Sequence, residues 1–194
     1  MQCDALQFLD LSPYDTADLF CLCSGCIYWE LPRLFDQRPP KEAMRSLKER
    51  WLAEHSAGRV LGKVARAGKE LRGFIQYGPP EMYPRQREYR SGPVSGDALL
   101  ITCLFVAAPY RGLGLARQLL SLAEREAAQE YGCAALETFA RKTSADNPSG
   151  PAQLYEAHGF EILREEDEFP LVRKALLSGR SGVRRSGRRD SDGV

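Results

Sequence analysis

Residues 106–116 read Val-Ala-Ala-Pro-Tyr-Arg-Gly-Leu-Gly-Leu-Ala and join the most apolar stretch of the chain to its clearest helical pattern. The apolar stretch, residues 97–107, predicts a central strand. Residues 113–131 place apolar side chains on one broad helical face. Gly112 and Gly114 lack side chains, so the backbone between the two patterns can turn sharply and approach a ligand closely. The sequence therefore predicts a strand, a glycine turn and a helix in direct succession.

The start of this predicted helix has the properties of an anion site. The first N–H groups of a helix have no partner within it, and the helix dipole is positive at that end. A phosphate or pyrophosphate fits such a terminus, and Arg111 adds a cation at its rim. The alternative is a connection whose glycines serve only the turn, which is the more common case for an isolated Gly-x-Gly. The sequence excludes a P-loop, which needs Gly-Lys-Ser/Thr, and a Rossmann fingerprint, which needs a third glycine.

Strands and helices also alternate along the rest of the chain. Ser12 followed by Pro13 is a helix-start signal, and it predicts a helix that runs to about residues 21–24. Residues 78–96 are rich in glycine, proline and charge, which predicts a long loop. The other patterns predict strands at 5–11, 60–66, 71–77, 134–139, 160–163 and 169–175, and helices at 41–55 and 151–158. Together they predict an α/β (α+β) fold with helices packed around a mixed sheet.

The composition indicates one globular domain with a polar tail. The chain has 194 residues, 43% of them hydrophobic, and its net charge of +1 gives no general preference for nucleic acid or anionic membranes. No apolar run approaches a membrane span, and the N-terminus lacks a signal-peptide pattern, so we expect a cytoplasmic protein. Residues 178–194 contain Gly, Ser, Arg and Asp with almost nothing apolar. We therefore expect a domain at 1–177 and a disordered basic tail at 178–194.

Two motifs, taken together, resemble a known family. Residues 106–116 resemble the cofactor motif Arg/Gln-x-x-Gly-x-Gly/Ala of the GNAT acetyltransferase superfamily. Residues 154–160, Leu-Tyr-Glu-Ala-His-Gly-Phe, resemble its Leu-Tyr-Glu-x-x-Gly-Phe motif, and a predicted strand lies between the two. The resemblance covers residues 60–175 well and residues 5–55 in outline. It implies a mixed, mostly antiparallel central sheet of about six or seven strands, flanked by helices and splayed between strands 4 and 5.

The resemblance also implies acetyl-CoA as the cosubstrate, bound in the gap between strands 4 and 5. The pantetheine arm would pair with the backbone of the fourth strand as an added strand would. Backbone N–H groups of residues 112–117 would hold the pyrophosphate, and an asparagine before the short helix would contact the cofactor. The cofactor-binding residues implied in this way are Leu104, Phe105, Val106, Arg111, Gly112, Leu113, Gly114, Leu115, Ala116, Arg117 and Asn147.

Direct transfer to an amine, the reaction that the resemblance implies, has two proton transfers to assist. The pKa of an alkyl amine is about 10.4, so a base or a water chain must remove a proton before attack, and the leaving CoA thiolate gains from a nearby donor. Tyr155 matches the family's donor; the alternative is a buried structural tyrosine. Glu137 lies in the strand where several family members carry the base; the alternative is a solvent-facing glutamate. Asp97 and Glu81 are weaker candidates for the base.

The acceptor is the least specified part of this reaction. Residues 26–32 fall where the family's variable first helices form an acceptor wall, and the aromatic and charged segment 77–90 is either an acceptor-side lid or a plain surface loop. We predict acetyl transfer to an unidentified amine, of a small molecule or a peptide, through a ternary complex. The alternatives are a non-catalytic sensor that binds acyl-CoA and an acyltransferase with a hydroxyl acceptor. We expect no nucleic-acid or membrane partner, and a homodimer is a candidate state because exposed strand edges in this fold often pair.

Three cysteines are clustered as Cys21-x-Cys23-x-x-Cys26. Structural zinc uses four ligands, and nothing in the sequence selects a fourth beside these three. A shared metal therefore remains an alternative, and our prediction is that the thiols are free and that no metal is bound. Of the two histidines, His158 is expected at the surface or as a helix cap, and His55 has no obvious partner in the sequence.

Overall fold

Seven strands form a single sheet in the computed structural model, which describes residues 4–19, 23–143 and 149–176. The strands are β1 (Leu6–Asp10), β2 (Gly62–Ala67), β3 (Glu70–Gly78), β4 (Ala98–Val106), β5 (Ala135–Phe139), β6 (Glu161–Arg164) and β7 (Leu171–Ala175). Their order across the sheet is β1-β2-β3-β4-β5-β7-β6. Strands β4 and β5 run parallel, and the other neighbours run antiparallel. This is the mixed, mostly antiparallel sheet that the sequence resemblance implies.

Helices cover both faces of the sheet. They are α1 (Pro32–Phe35), α2 (Lys41–His55), α3 (Leu115–Gln129) and α4 (Ala152–Glu156). Side chains alternate along β4 on either side of a pairing irregularity at Thr102, so Leu99 and Leu104 pack with Tyr155 in one buried cluster, which we call the α3 face. Leu100 and Cys103 pack in the other cluster, which includes Trp51 of α2 and which we call the α2 face. Among the helices in the described ranges, we find none with the length and apolar character needed to cross a bilayer.

The prediction of a helix that runs from residue 12 to about residues 21–24 is wrong. In its place the chain makes a short 3-10 helix, Pro13–Ala17. The Ser12 N–H donates to Asp15 Oδ2 (2.9 Å), and the other carboxylate oxygen of Asp15 accepts from Arg66 of β2 (2.8 Å). Because the Asp15 side chain both caps this turn and ties it to the sheet, the start signal leads to a single anchored turn and not to a long helix. The short helix α1 was not predicted.

The sheet splits between β4 and β5. The two strands pair at Ala98–Leu100 of β4, and within the described residues the ladder ends where Leu100 meets Glu137. Strand β4 continues beside β3 as far as Val106. At the base of the split, the Thr138 hydroxyl donates to the Ile101 carbonyl (2.9 Å). The predicted splay between strands 4 and 5 is thereby confirmed, and it leaves one edge of β4 open beyond Ile101.

Candidate cofactor and active site

A cavity of about 460 Å³ lies where the open end of β4 meets the start of α3. Its walls come from three segments: the end of β4, the glycine turn with the first turn of α3, and the residues that lead into α4. The lining residues are Leu104, Phe105, Val106, Tyr110, Arg111, Gly112, Gly114, Leu115, Ala116, Arg117, Gly150, Pro151 and Leu154. The structure therefore brings nine of the eleven implied cofactor residues to one cavity.

The glycine turn faces open space. Gly112 (φ 78°) and Gly114 (φ 79°) have left-handed backbone conformations that favour glycine. A Cβ added at either position would meet no described atom within 4 Å outside the glycine itself and its nearest neighbours along the chain. The first helical bond of α3 runs from the Gln118 N–H to the Gly114 carbonyl (3.2 Å), so the N–H groups before it have no partner within the helix. Such an open, donor-rich turn at the positive end of a 15-residue helix suits an anion.

Arg111 lies between this turn and the end of β4. Its Nε donates to the Val106 carbonyl (3.0 Å), and its guanidinium carbon is 5.6 Å from the centre of the Phe105 ring. The contacts place a permanent positive charge at the mouth of the cavity, on the same side as the free N–H groups of α3. Both features attract a polyanionic ligand.

Tyr155, the predicted acid, is fully buried directly behind the cavity wall. Its hydroxyl donates to the Ser149 carbonyl (2.6 Å). A Cβ on Gly150, which lines the cavity, would lie 3.1 Å from the Tyr155 ring, so a single layer of backbone separates that ring from the cavity. Burial raises the pKa of Tyr155, and the phenol therefore stays protonated and able to donate throughout the neutral range.

Glu137, the predicted base, is fully buried at the base of the split. One carboxylate oxygen accepts from the Ser95 N–H (2.9 Å), and the other accepts from Arg173 Nη1 (2.5 Å). The same guanidinium also pairs with Asp97 (2.8 Å) and lowers the pKa of that carboxyl group. The third candidate, Glu81, is exposed in a 3-10 helix on the loop before β4. Two of the three candidates for the base therefore share one arginine.

Of the implied cofactor residues that the structure describes, Leu113 alone does not line this cavity. The Leu113 side chain is 71% exposed, and Asn147 lies outside the described residues. Four lining residues were not anticipated: Tyr110, Gly150, Pro151 and Leu154. Leu154 opens the second motif, so its proximity to the cofactor motif could have been inferred. Tyr110 precedes Arg111 within the motif stretch 106–116, and its ring is positioned by Arg72 of β3, whose guanidinium carbon lies 4.6 Å from the ring centre.

The comparison with sequence families agrees with this geometry. The chain matches the Acetyltransferase (GNAT) family over residues 26–160, which span the glycine turn, the split and α4. The chain belongs to this family. A search of the curated proteins found no match to the sequence of this acetyltransferase.

Solved structures of low sequence identity share the fold of this acetyltransferase. The PaiA N-acetyltransferase of Thermoplasma acidophilum, solved with coenzyme A, is 14% identical at a TM-score of 0.58, and the match covers 88% of this chain and 99% of that one. NAA60 of Arabidopsis thaliana, solved with acetyl-CoA, is 17% identical at a TM-score of 0.55, with 89% and 100% of the two chains covered. At these identities the likeness establishes the fold alone.

Every cysteine and histidine that the structure describes lies outside the lining of the cavity. Cys23 is buried and Cys26 is half-buried, Cys21 lies outside the described residues, and no group of three or more metal-ligating side chains occurs within 4–19, 23–143 and 149–176. His55 stacks on Trp51 with ring centres 4.6 Å apart. His158 is half-buried, 2.9 Å from Glu124, and burial lowers its pKa. His158 is therefore partnered beside α3, not free at the surface.

Proposed function

We propose that the protein is an N-acetyltransferase that passes the acetyl group of acetyl-CoA directly to an amine in a ternary complex. The observation that carries the proposal is the meeting of three features in one place. The open edge of β4 and the donor-rich turn at Gly112 and Gly114 line a single cavity, and the buried donor Tyr155 lies directly behind its wall. Each feature serves a different part of acetyl-CoA, which has a strand-like arm, a pyrophosphate and a thioester.

The cofactor would follow the cavity from the split to the helix terminus. The pantetheine arm would lie along Leu104–Val106, where β4 lacks its β5 neighbour and where backbone polar groups need partners. The pyrophosphate would occupy the turn before α3, with Arg111 beside it. That two structures with this fold were solved with coenzyme A or acetyl-CoA supports this placement. Asn147 remains a predicted contact.

In the transfer itself, the amine nitrogen attacks the thioester carbonyl carbon, the C–N bond forms and the C–S bond breaks. The sulfur leaves with the electron pair, and we propose that Tyr155 supplies its proton or a hydrogen bond. A phenol has only one proton to donate, and that proton is now directed at the Ser149 carbonyl. Donation to sulfur therefore requires the hydroxyl to rotate away from Ser149 when the thioester is in place.

We propose Glu137 as the group that takes the proton of the attacking amine, through a bound water. Its two oxygens each accept one hydrogen bond, from Ser95 and from Arg173, and each carboxylate oxygen can accept a second. Its burial at the base of the split puts it next to the strand edge along which the thioester would lie. A water between Glu137 and the amine would complete the path.

Replacing Glu137 with glutamine is expected to lower kcat by about 10²-fold or more, because an amide cannot accept the proton. The affinity for acetyl-CoA, measured by calorimetry, is expected to stay the same. Glu126→Gln is the matched control, since Glu126 is also a buried carboxylate paired with a cation, Lys63, and lies outside the cavity. If kcat falls equally in both variants and in proportion to the fall in melting temperature, Glu137 acts only as a member of a structural ion pair.

The activity is tested by release of free CoA thiol from acetyl-CoA in the presence of separate panels of amines and alcohols. We expect release that depends on an amine, with the acetylated amine identified by mass spectrometry. Alcohol-dependent release would establish the hydroxyl acceptor in its place. Acetyl-CoA binding by calorimetry without release in either panel would contradict the proposal and favour the sensor that binds acyl-CoA.

A further inference from the structure

A buried carboxylate on the α2 face of the sheet has one oxygen without a partner. Glu30, in the segment before α1, is 4% exposed. Lys48 of α2 and Gln76 of β3 both donate to its Oε1, the amide of Gln76 at 2.7 Å. Its Oε2 is also buried, and it accepts no hydrogen bond from any residue in the described ranges. A buried carboxylate oxygen left in this state is costly, so we expect a donor other than these residues to bind it.

The ion pair of Glu30 and Lys48 does not account for the vacant oxygen. Both side chains are almost fully buried, and such a pair loses about as much hydration energy as it gains in attraction. Lys48 also donates to Gln76 Oε1 (2.8 Å), so the three side chains form one closed network. This network uses only one of the two carboxylate oxygens. It therefore fixes the orientation of the Glu30 carboxylate and leaves Oε2 available.

The segment that carries Glu30 crosses the sheet at the split. Trp29, the preceding residue, stacks on Phe139 of β5 with ring centres 5.9 Å apart. Glu30 itself is bonded to Gln76 of β3, and β4 lies between β5 and β3 in the sheet. The residue of β4 that pairs with Gln76 is Cys103, which lies beyond the last pair of β4 with β5. Glu30 is therefore held over the β3–β4 pair, one strand away from the open edge of β4.

Cys103 relates this carboxylate to the proposed cofactor. Its side chain packs on the α2 face, whereas the next residue, Leu104, lines the cofactor cavity. The pantetheine arm would lie along Leu104–Val106 with the pyrophosphate beyond it, beside Arg111, so the thioester end would lie at the level of Leu104. An acceptor that approaches this thioester through the split from the α2 face would pass the Glu30 carboxylate.

The way to Glu30 from solvent runs beside Cys26. Lys48, Gln76 and Cys103 are buried, whereas Cys26 is half-buried. Burial, and after it the nearby charge of Glu30, raises the pKa of the Cys26 thiol, as expected for a thiol close to the carboxylate. The thiol is therefore neutral at physiological pH and provides a small, weakly polar surface at the approach to Oε2.

We propose that Glu30 Oε2 accepts a hydrogen bond from the acceptor amine and holds that amine at the split. The proposal rests on the proposed function and names its substrate class, a primary amine. A primary amine has two N–H bonds, so it can lose one proton on attack, by way of Glu137, and keep the other N–H on Glu30. A secondary amine has only one N–H, which it must lose to form the amide, and nothing then remains for Oε2 to accept.

The test compares each primary amine with its N-methyl counterpart. Propylamine is compared with N-methylpropylamine, and glycinamide with sarcosinamide. We expect at least one primary amine to have a kcat/KM at least about 10-fold higher than its counterpart, because a site that binds an N–H rejects the analogue that lacks it. Ligand-observed NMR, with CoA in place of acetyl-CoA, measures the dissociation constants of the same amines without turnover.

Glu30→Gln places an amide N–H donor where Oε2 accepts. We expect kcat/KM for the primary amine to fall by about 10- to 100-fold, the value of one hydrogen bond to a charged group, and its preference over the N-methyl amine to be lost. The affinity for acetyl-CoA, measured by calorimetry, should not change. Glu126→Gln is the matched control, since Glu126 is also buried and paired with a lysine, but both of its oxygens have partners, Lys63 and Tyr77.

A double variant separates acceptor binding from the ion pair. Glu30→Gln alone leaves Lys48 buried without a counter-charge, which destabilises the fold, and adding Lys48→Met removes that charge as well. The melting temperature of Glu30→Gln/Lys48→Met should therefore recover. The kcat/KM for the primary amine should stay low, because Oε2 is still missing.

The outcomes separate this proposal from the proposed function. Propylamine or glycinamide that binds in a Glu30-dependent manner without being acetylated would support the role of Glu30 and contradict the proposed activity. Recovery of primary-amine acetylation in the double variant would overturn the role of Glu30 alone, and so would a preference that Glu30→Gln leaves intact. A parent protein that neither binds nor acetylates either primary amine would also overturn it.

Discussion

Replacing Gly114 with aspartate is expected to weaken acetyl-CoA binding by at least about 100-fold. The new carboxylate would lie in the open space above the turn, where the pyrophosphate is proposed to bind, and two like charges in contact cost several kcal/mol. The protein itself should fold, because aspartate tolerates a left-handed backbone better than most residues and is stabilising at a helix N-terminus. Calorimetric titration with acetyl-CoA measures the loss.

Two further variants separate charge from backbone strain. Gly58→Asp introduces the same side chain at nearly the same φ (78° against 79°), also into open space but outside the cofactor cavity, so the affinity should not change. Gly114→Asn has the shape of the aspartate variant without its charge, and the affinity should lie between that variant and the parent. A folded Gly114→Asp protein with full affinity would show that the pyrophosphate binds elsewhere.

Removing the Tyr155 hydroxyl, by Tyr155→Phe, is expected to lower kcat by about 10²-fold, within the range for general acids. The ring contacts with Phe160 (5.1 Å between centres) and Gly150 would remain, so the affinity for acetyl-CoA should be unchanged. The readout is kcat from steady-state kinetics at saturating acetyl-CoA. A pre-steady-state experiment without a burst of product shows that chemistry limits the rate.

Tyr83→Phe is the matched control for this experiment. Tyr83 is also fully buried, and its hydroxyl also donates to a backbone carbonyl, that of Tyr77 (3.1 Å). Each substitution removes one buried hydrogen bond worth about 1 kcal/mol, so the two variants should lose similar stability. Only the Tyr155 variant should lose activity. If kcat falls equally in both, the Tyr155 hydroxyl acts through the fold and not on the leaving sulfur.

The fold could be predicted where sequence pattern and packing agree. The broad apolar face of α3 and the apolar run of β4 are both buried in the structure, and the ordered pair of motifs indicated the split sheet. The start signal at Ser12 misled because its outcome depends on Arg66, which is remote in sequence and binds Asp15. A local pattern cannot show that a capping residue will instead anchor a turn to the sheet.

The candidate site, too, could be predicted from the sequence only in part. Backbone features, such as the glycine turn, follow from a local motif, and in the structure that turn forms part of the cavity wall. Side-chain environments depend on partners far away in sequence, so the pairing of Glu137 with Arg173 could not be anticipated. The contacts among Tyr28, Tyr89 and Phe169 are the extreme case, because these rings meet only when three segments fold together. The sequence left residues 77–90 as either an acceptor-side lid or a plain surface loop, and it could not show that this segment contacts residues 26–32 through the hydroxyls of Tyr28 and Tyr89.

The three-pair ladder between β4 and β5 has a consequence for the abundance of the protein. It is the narrow join between an N-terminal half-sheet and a C-terminal half-sheet, and the proposed cofactor would bridge both halves beyond it. A ligand that binds only the folded state adds to its stability, by about 2.7 kcal/mol at one hundred times its dissociation constant. The fraction of folded protein in a cell would then rise and fall with the concentration of acetyl-CoA. When acetyl-CoA is scarce, less of the protein that uses it would stay folded.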